Sequence, residues 1–87
     1  DKTLPHIWPI KGYTPHAVDQ ICARGTPPKS GGVSNFAIVY TILHGKTKAG
    51  GGGRVIYMSQ YAYIVFNPFT GLVETAYPRS RRGRRYP

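Results

Sequence analysis

Three acidic residues in 87 are too few for most of the chemistry that carboxylates perform. A nuclease working through two metal ions needs several carboxylates converging on them, whereas Asp1, Asp19 and Glu74 are scattered along the chain. The single cysteine, Cys22, excludes an intramolecular disulfide framework, and with the widely spaced His6, His16 and His44 it matches no zinc spacing. No metal and no cofactor are expected. No apolar run reaches transmembrane length, no signal peptide is present, and no long amphipathic cationic helix can be drawn, so stable membrane association is not expected. The chain opens on Asp1-Lys2 rather than methionine, as expected of a piece of a longer polypeptide.

What the chain has in excess is positive charge. Twelve lysines and arginines give a formal charge of +9, which points to an anionic partner, nucleic acid first. Five of the seven arginines lie between Arg79 and Arg85, yet the rest of the chain is basic without them. At this length one domain with one modest core is expected.

The most legible stretch is Tyr61 to Tyr77, which reads as a β-hairpin turning at Asn67 to Gly71. A four-residue loop sets Asn67 opposite Leu72 and Phe66 beside Val73, and continuing that register puts Ile64 beside Thr75 and Ala62 beside Tyr77. One face then carries Ala62, Ile64, Phe66, Val73, Thr75 and Tyr77. A bulge would instead move Thr75 and Tyr77 to the other face.

Upstream, Asp1 to Tyr13 is an ordered lead-in whose Ile7, Trp8 and Ile10 pack on the body. Thr14-Pro15 starts a helix and Arg24-Gly25 stops it, predicting Pro15 to Arg24. Along it His16, Gln20 and Arg24 form one polar row, either a solvated face or a site. Ser34 caps a second helix, Asn35 to His44, closed by Gly45; being apolar nearly all round, it is expected at the centre of the core, with His44 in a capping role. Lys46 to Gly53 reads as a flexible cationic loop, a hairpin linker or a phosphodiester contact. Gly45-Lys46-Thr47 resembles the end of a P-loop, but that motif needs glycine where Tyr40 stands and a strand before it. Arg54 to Ser59 alternates as a strand with Arg54, Ile56 and Met58 on one face. The fold class expected is α+β: two N-terminal helices packed on a small antiparallel sheet of three or more strands, followed by a basic, disordered C-terminal tail. Removing that tail is expected to weaken phosphate binding and leave the body intact.

RNA can be cleaved without metal ions, because its 2′-hydroxyl attacks the adjacent phosphorus once a base takes its proton and an acid protonates the departing 5′ oxygen. His16 can act as base or acid. Arg24, Arg54 and Lys48 can hold phosphate, and Thr75 and Tyr77 can donate hydrogen bonds, Tyr77 also stacking on a base. A nucleophilic hydrolase is disfavoured because Cys22 lies on the apolar stripe of a helix.

His16 opening a helix that ends in Arg24-Gly25, a second helix ended by Gly45, the Gly53-Arg54 strand start, and the hairpin from Phe66-Asn67-Pro68-Phe69-Thr70-Gly71 to Thr75-Ala76-Tyr77 carry a resemblance. From Thr14 to Tyr77 the chain resembles the C-terminal ribonuclease toxin domains of bacterial polymorphic and contact-dependent inhibition systems, of the CdiA and Rhs type. These include the group with the barnase, EndoU, colicin and RelE-like fold. The Thr-Ala-Tyr ending with its upstream His and Arg also resembles the RNase A-like toxins of those systems, although this chain is shorter and lacks their elongated helical pattern.

The resemblance implies a toxin domain over residues 1–78 with a basic tail over 79–87. It implies a metal-independent endoribonuclease cleaving tRNA or rRNA to a 2′,3′-cyclic phosphate, with His16, Arg24, Thr75 and Tyr77 as the active-site set. Lys46, Lys48, Arg54, Arg79, Arg81 and Arg82 are the candidate RNA-binding residues. It further implies delivery as part of a larger effector, action in the cytoplasm of a competitor bacterium, and neutralisation by an acidic immunity protein. The alternative is a basic RNA-binding module without catalysis.

Overall fold

Thr14 and Ser34 start the two helices by the same device. Each is extended and accepts a hydrogen bond from the backbone N–H three residues on, Ala17 at 3.1 Å and Ala37 at 3.1 Å, satisfying a donor the helix itself leaves free. The computed structural model describes residues 4–23 and 31–86. Helix α1 (Pro15–Ile21) ends before the expected Arg24, because Ala23 adopts the left-handed conformation (φ 53°) while its N–H closes on the Gln20 carbonyl. Helix α2 (Asn35–His44) forms where expected. It is not encircled by core, however. Ala37, Ile38, Thr41 and Ile42 are buried, but Phe36 and Leu43 are more than half exposed, because the helix lies on one face of the sheet with its back to solvent. Gly45 ends it by necessity of space: a Cβ there would stand 2.4 Å from the Thr41 carbonyl oxygen and 2.9 Å from that of Met58.

The sheet departs from the expected class. It has five strands and is mixed, and its helices lie one near the start of the chain and one in the middle rather than both at the N-terminus. The strands are β1 (Gly12–Tyr13), β2 (Lys46–Ala49), β3 (Val55–Met58), β4 (Ala62–Asn67) and β5 (Leu72–Pro78), in the order β1-β5-β4-β3-β2. Two segments read as irregular account for the difference. The lead-in contributes β1, which pairs parallel to β5 through Gly12 opposite Leu72 and Tyr13 opposite Val73. The supposed cationic loop contributes β2, antiparallel to β3, with the glycines that follow it making a tight turn. All four β2 residues are exposed, so no hydrophobic alternation marked it as a strand.

Within the final hairpin Asn67 faces Leu72 and Phe66 faces Val73 as expected. The register then slips. Val65 pairs with Thr75, leaving Glu74 as the extra residue of a bulge, and Ile64 pairs with Ala76 and Tyr63 with Tyr77. One face of the sheet thus carries Ala62, Ile64, Phe66, Val73 and Ala76, all buried, and packs on Ala17 and Ile21 of α1 and on Ala37, Ile38 and Ile42 of α2. Burying each large aliphatic side chain of this layer contributes about 1.5–3 kcal/mol. The lead-in adds Leu4 and Ile10 to the same core, while Trp8 stays 89 % exposed, contrary to expectation.

Residues 79–86 are not a disordered tail. The Arg79 N–H bonds the Tyr61 carbonyl at 2.9 Å, a 3-10 turn follows at Arg81–Gly83, and the Gly83 carbonyl receives the Ser34 N–H at 2.8 Å. Arg85 then donates through Nε to the Val33 carbonyl at 3.0 Å and through its guanidinium to the Asn35 side chain, and the Tyr86 N–H bonds the Gly31 carbonyl at 2.8 Å. Backbone pairing holds the segment where composition predicted none. Gly83 is buried at the closest point, where a Cβ would fall 1.9 Å from the Tyr61 carbonyl oxygen.

Two outcomes follow from this packing. Gly83→Ala forces the Tyr61 backbone to move and is expected to cost about 1–3 kcal/mol in chemical denaturation, while truncation after Pro78 lowers the thermal midpoint; equal midpoints for the full and truncated chains would remove the structural role of residues 79–86. Tyr13 donates from its hydroxyl to the Pro5 carbonyl at 2.5 Å, and burial pushes its phenol well above the usual tyrosine range, against the opposing charge of Arg85. A group raised in this way contributes stability that is complete below the unfolded pKa and lost as pH climbs through the folded one. In an absorbance titration Tyr13 should therefore ionise together with alkaline unfolding, a signal missing from Tyr13→Phe.

Candidate functional site

The bulge at Glu74 decides which residues share the uncovered face of the sheet. Pairing across β2, β3, β4 and β5 lines up two rows there, Lys46–Met58–Tyr63–Tyr77 and Lys48–Ile56–Val65–Thr75. Both helices pack on the opposite face, so these rows carry no helix among the described residues. The Tyr63 and Tyr77 rings touch with centroids 4.7 Å apart, and Tyr77 remains 38 % exposed. Lys46 and Lys48 are exposed and Thr75 is half-buried. The face combines cations, a hydroxyl and aromatic rings.

At the turn end of this face the bulge residue Glu74 is tied down on both oxygens. Oε1 accepts from Arg54 Nε at 2.7 Å and Oε2 from Asn67 Nδ2 at 3.0 Å, which links β5 to the start of β3 and the end of β4. The Arg54 guanidinium, by hydrogen bond and charge, and the Asn67 amide hold the Glu74 carboxyl below the usual carboxylate range. Arg54 is raised in turn by the same bond. Part of its donor set is therefore committed within the fold.

The expected polar row of the first helix is divided. His16 is exposed at the start of α1 and has no hydrogen bond or ion pair among the described residues, whereas the Gln20 Oε1 accepts the Ala76 N–H at 3.1 Å and so covers part of the free edge of β5. Arg24 lies outside the described residues. What ties His16 to the sheet is its neighbour Thr14, whose N–H bonds the Val73 carbonyl at 2.9 Å and whose hydroxyl donates to the Glu74 carbonyl at 3.3 Å. The helix carrying His16 thus starts at the bulge, but it packs on the covered face while Thr75 and Tyr77 lie on the uncovered one, and among the described residues no hydrogen bond or ring contact joins His16 to either.

The far end of the open face runs into a cleft of about 440 Å³ lined by Tyr40, His44, Lys46, Ser59, Gln60 and Arg79, among others. Arg79 was expected to bind RNA from a loose tail; it is instead fixed in the cleft wall by its backbone bond to Tyr61 and by Nη1 donating to the Ser59 carbonyl at 3.0 Å. The Ser59 side chain is itself locked, 2.7 Å from the buried Thr41 hydroxyl and accepting the Tyr61 N–H at 3.0 Å. Arg81 and Arg82 are exposed on the turn that follows. Sequence reasoning gave His44 only a capping role and passed over Ser59 and Glu74. The adjacency His44-Gly45-Lys46 was the available signal for the cleft, since a helix that runs directly into a strand brings its last side chains to the strand's first. Among the described residues no group of three or more His, Cys, Asp or Glu is placed to hold a metal ion.

Because the Glu74 carboxyl is lowered, the bonds that lower it add stability above the unfolded glutamate pKa and lose it as pH falls through the folded value. Glu74→Gln should therefore lower the melting temperature most near neutral pH, with the gap to wild type closing as the solution is acidified below the ordinary glutamate range. A gap that stays constant down to pH 3 would show that the carboxylate charge is not what holds the three strands (about 4.3 being the ordinary value). The chain matches no protein-family model, no curated protein and no solved structure.

Proposed function

We propose that the protein is a metal-independent endoribonuclease, a toxin domain that cleaves RNA by attack of the 2′-hydroxyl on the adjacent phosphorus. The observation that carries this reading is the β5 bulge. It turns Thr75 and Tyr77 onto the same uncovered face as Lys46 and Lys48, and its carbonyl anchors the helix start that bears His16. A single-stranded RNA laid on this face meets exposed cations for its phosphates and the Tyr63–Tyr77 pair as a stacking platform. Such contacts suit any base sequence, as stacking and phosphate pairing do.

In the chemical step His16, exposed and with no hydrogen bond or ion pair among the described residues, exchanges one of the two protons, that of the 2′-hydroxyl or that of the departing 5′ oxygen, and solvent water exchanges the other. The Thr75 hydroxyl and Tyr77 phenol donate to the phosphorane oxygens as charge develops, with Arg24 and the lysines supplying positive potential. The products are a 2′,3′-cyclic phosphate and a free 5′-hydroxyl; the proton removed from the nucleophile is balanced by the one given to the leaving oxygen. DNA lacks the nucleophile and is not a substrate. Glu74, held as a carboxylate by Arg54 and Asn67, serves the fold and orients the bulge rather than accepting the proton.

The surrounding biology is part of the same proposal. A domain of this charge, carried on a larger effector into the cytoplasm of a competitor bacterium, requires protection of the producing cell. An acidic immunity protein over the basic face supplies it, since complementary charge accelerates association.

The test is cleavage of total RNA in EDTA. Wild type is expected to cleave fully with chelator, to leave 2′,3′-cyclic ends and to spare DNA; activity appearing only on addition of Mg²⁺ would overturn the mechanism. His16→Ala should lower the single-turnover rate about 10² to 10⁴-fold with RNA affinity nearly unchanged. Thr75→Val, which keeps shape and removes the donor, should lower the rate with little change in melting temperature. Wild-type single-turnover rates in His16→Ala would displace the site, and no cleavage by wild type of any RNA would leave an RNA-binding module.

A further inference from the structure

The cleft beyond the open face is built for an anion, and of its lining the ribonuclease mechanism uses only Lys46. His44 comes from the end of α2, Lys46 from the start of β2 and Arg79 from the chain just after β5, so three separate elements bring nitrogen donors to one concavity. Among the described residues no acidic side chain lines it. Of the acids among the described residues, Asp19 is exposed on α1 and Glu74 is bound to Arg54 and Asn67 at the turn end of the sheet. Cations gathered without a carboxylate repel one another unless something else is bound between them. The C-terminus of α2 offsets about half an elementary charge near His44 and Gly45, which leaves the Lys46 and Arg79 charges uncompensated.

The wall geometry narrows the ligand. Arg79 is held in place by its bonds to Ser59 and Tyr61, and the planar guanidinium has five donors, so most of its fork remains available to an oxyanion. Tyr40, which also lines the cleft, is fixed in a cluster of rings, 5.0 Å from Tyr61, 5.8 Å from Phe36 and 5.1 Å from His44 between centroids. A rigid aromatic wall facing cations takes a ligand with a planar ring and a phosphate. The volume, about 440 Å³, lies in the range of small-ligand sites. Lys46 also begins the row that crosses the sheet to Tyr77, three strand spacings or about 14 Å away. A short stretch of extended RNA spans that distance.

We propose that this cleft is a second nucleotide-binding subsite, holding one nucleotide of single-stranded RNA distant from the cleaved bond, its phosphate between Lys46 and Arg79 and its base against Tyr40 and His44. The proposal rests on RNA being the ligand of the open face and not on catalysis there. The subsite fixes the strand at one end, so that the bond to be broken lies over Thr75 and Tyr77. Binding energy at this remote point is then available to position the reacting phosphate.

The experiment is an NMR titration of the intact chain with uridine 3′-monophosphate, with inorganic phosphate and with an oligoglutamate peptide, repeated on Lys46→Gln, His44→Gln and His16→Ala. The nucleotide is expected to shift the signals of residues 44–46, 58–60 and 79 saturably, and inorganic phosphate to shift the same set more weakly. Lys46→Gln should weaken the nucleotide by about tenfold through loss of a charged hydrogen bond, and His16→Ala should leave it unchanged. Both replaced cleft residues are exposed, so their variants are expected to keep the wild-type spectrum elsewhere. Nucleotide shifts confined to the Thr75–Tyr77 face, or unaffected by Lys46→Gln and His44→Gln, would overturn the proposal. So would a cleft that answers to oligoglutamate and not to the nucleotide, which would make it a docking site for an acidic protein. A wild-type chain that binds nucleotide here but cleaves no RNA removes the ribonuclease mechanism and supports the subsite; one that cleaves RNA while the cleft stays silent does the reverse.

Discussion

The slip of one residue at Glu74 is the constraint on which the rest of the molecule depends. A strand has two faces and a period of two, so a single unpaired residue exchanges the faces of everything beyond it. Val73 and Ala76 both reach the core only because the slip lies between them. Without it Ala76 would point to solvent and Thr75 and Tyr77 inward, adding a hydroxyl and a phenol to a layer of aliphatic side chains. The bulge is stabilised from three sides. Arg54 and Asn67 hold its carboxylate, Thr14 accepts the duty of satisfying its carbonyl, and Gln20 completes the hydrogen bonding of Ala76 just past it. Core packing and the surface chemistry are thereby set by one local feature.

Much of the secondary structure was legible and much of the topology was not. The turn chemistry of Asn67 to Gly71 is local, and the pairings closest to it formed as read. Helix starts at Thr14 and Ser34 were equally local, since a hydroxyl and the N–H three residues on decide them. The bulge depends on partners 7 and 20 residues from Glu74 and on Thr14, 60 residues from it, so nothing near Glu74 in the sequence announces it. Strands β1 and β2 failed for a related reason. Each lies at an edge, where pairing is supplied by the neighbour and where side chains need not alternate, so neither a two-residue segment nor Lys-Thr-Lys-Ala carries the hydrophobic signature of a strand.

The C-terminal residues show how composition misleads when backbone groups carry the contacts. Five arginines and two prolines predict a chain with nothing to bury. Yet the pairing is made by main-chain groups of residues 79, 83 and 86, and Arg85 contributes through donors rather than apolar area. For the candidate site the outcome is mixed in an instructive way. Thr75, Tyr77, Lys46 and Lys48 were named from residue type and come together on one face, although through a register that the hairpin alone did not require. His16 and Gln20, one turn apart on the same helix, were assigned alike, and the structure separates them into an exposed imidazole and an amide engaged with the sheet.

The lysines of β2 have a consequence for how copies of the chain meet. β2 is an outer strand of the sheet, and its unpaired backbone groups are a template on which another strand could continue the ladder. A second copy arriving edge to edge in antiparallel fashion would bring Lys46 and Lys48 against the same two lysines of its counterpart, and like charges set opposite one another destabilise a ladder. Growth of the sheet by self-association is therefore opposed at the outset, even in a concentrated solution. The same pair of side chains keeps the protein apart from itself.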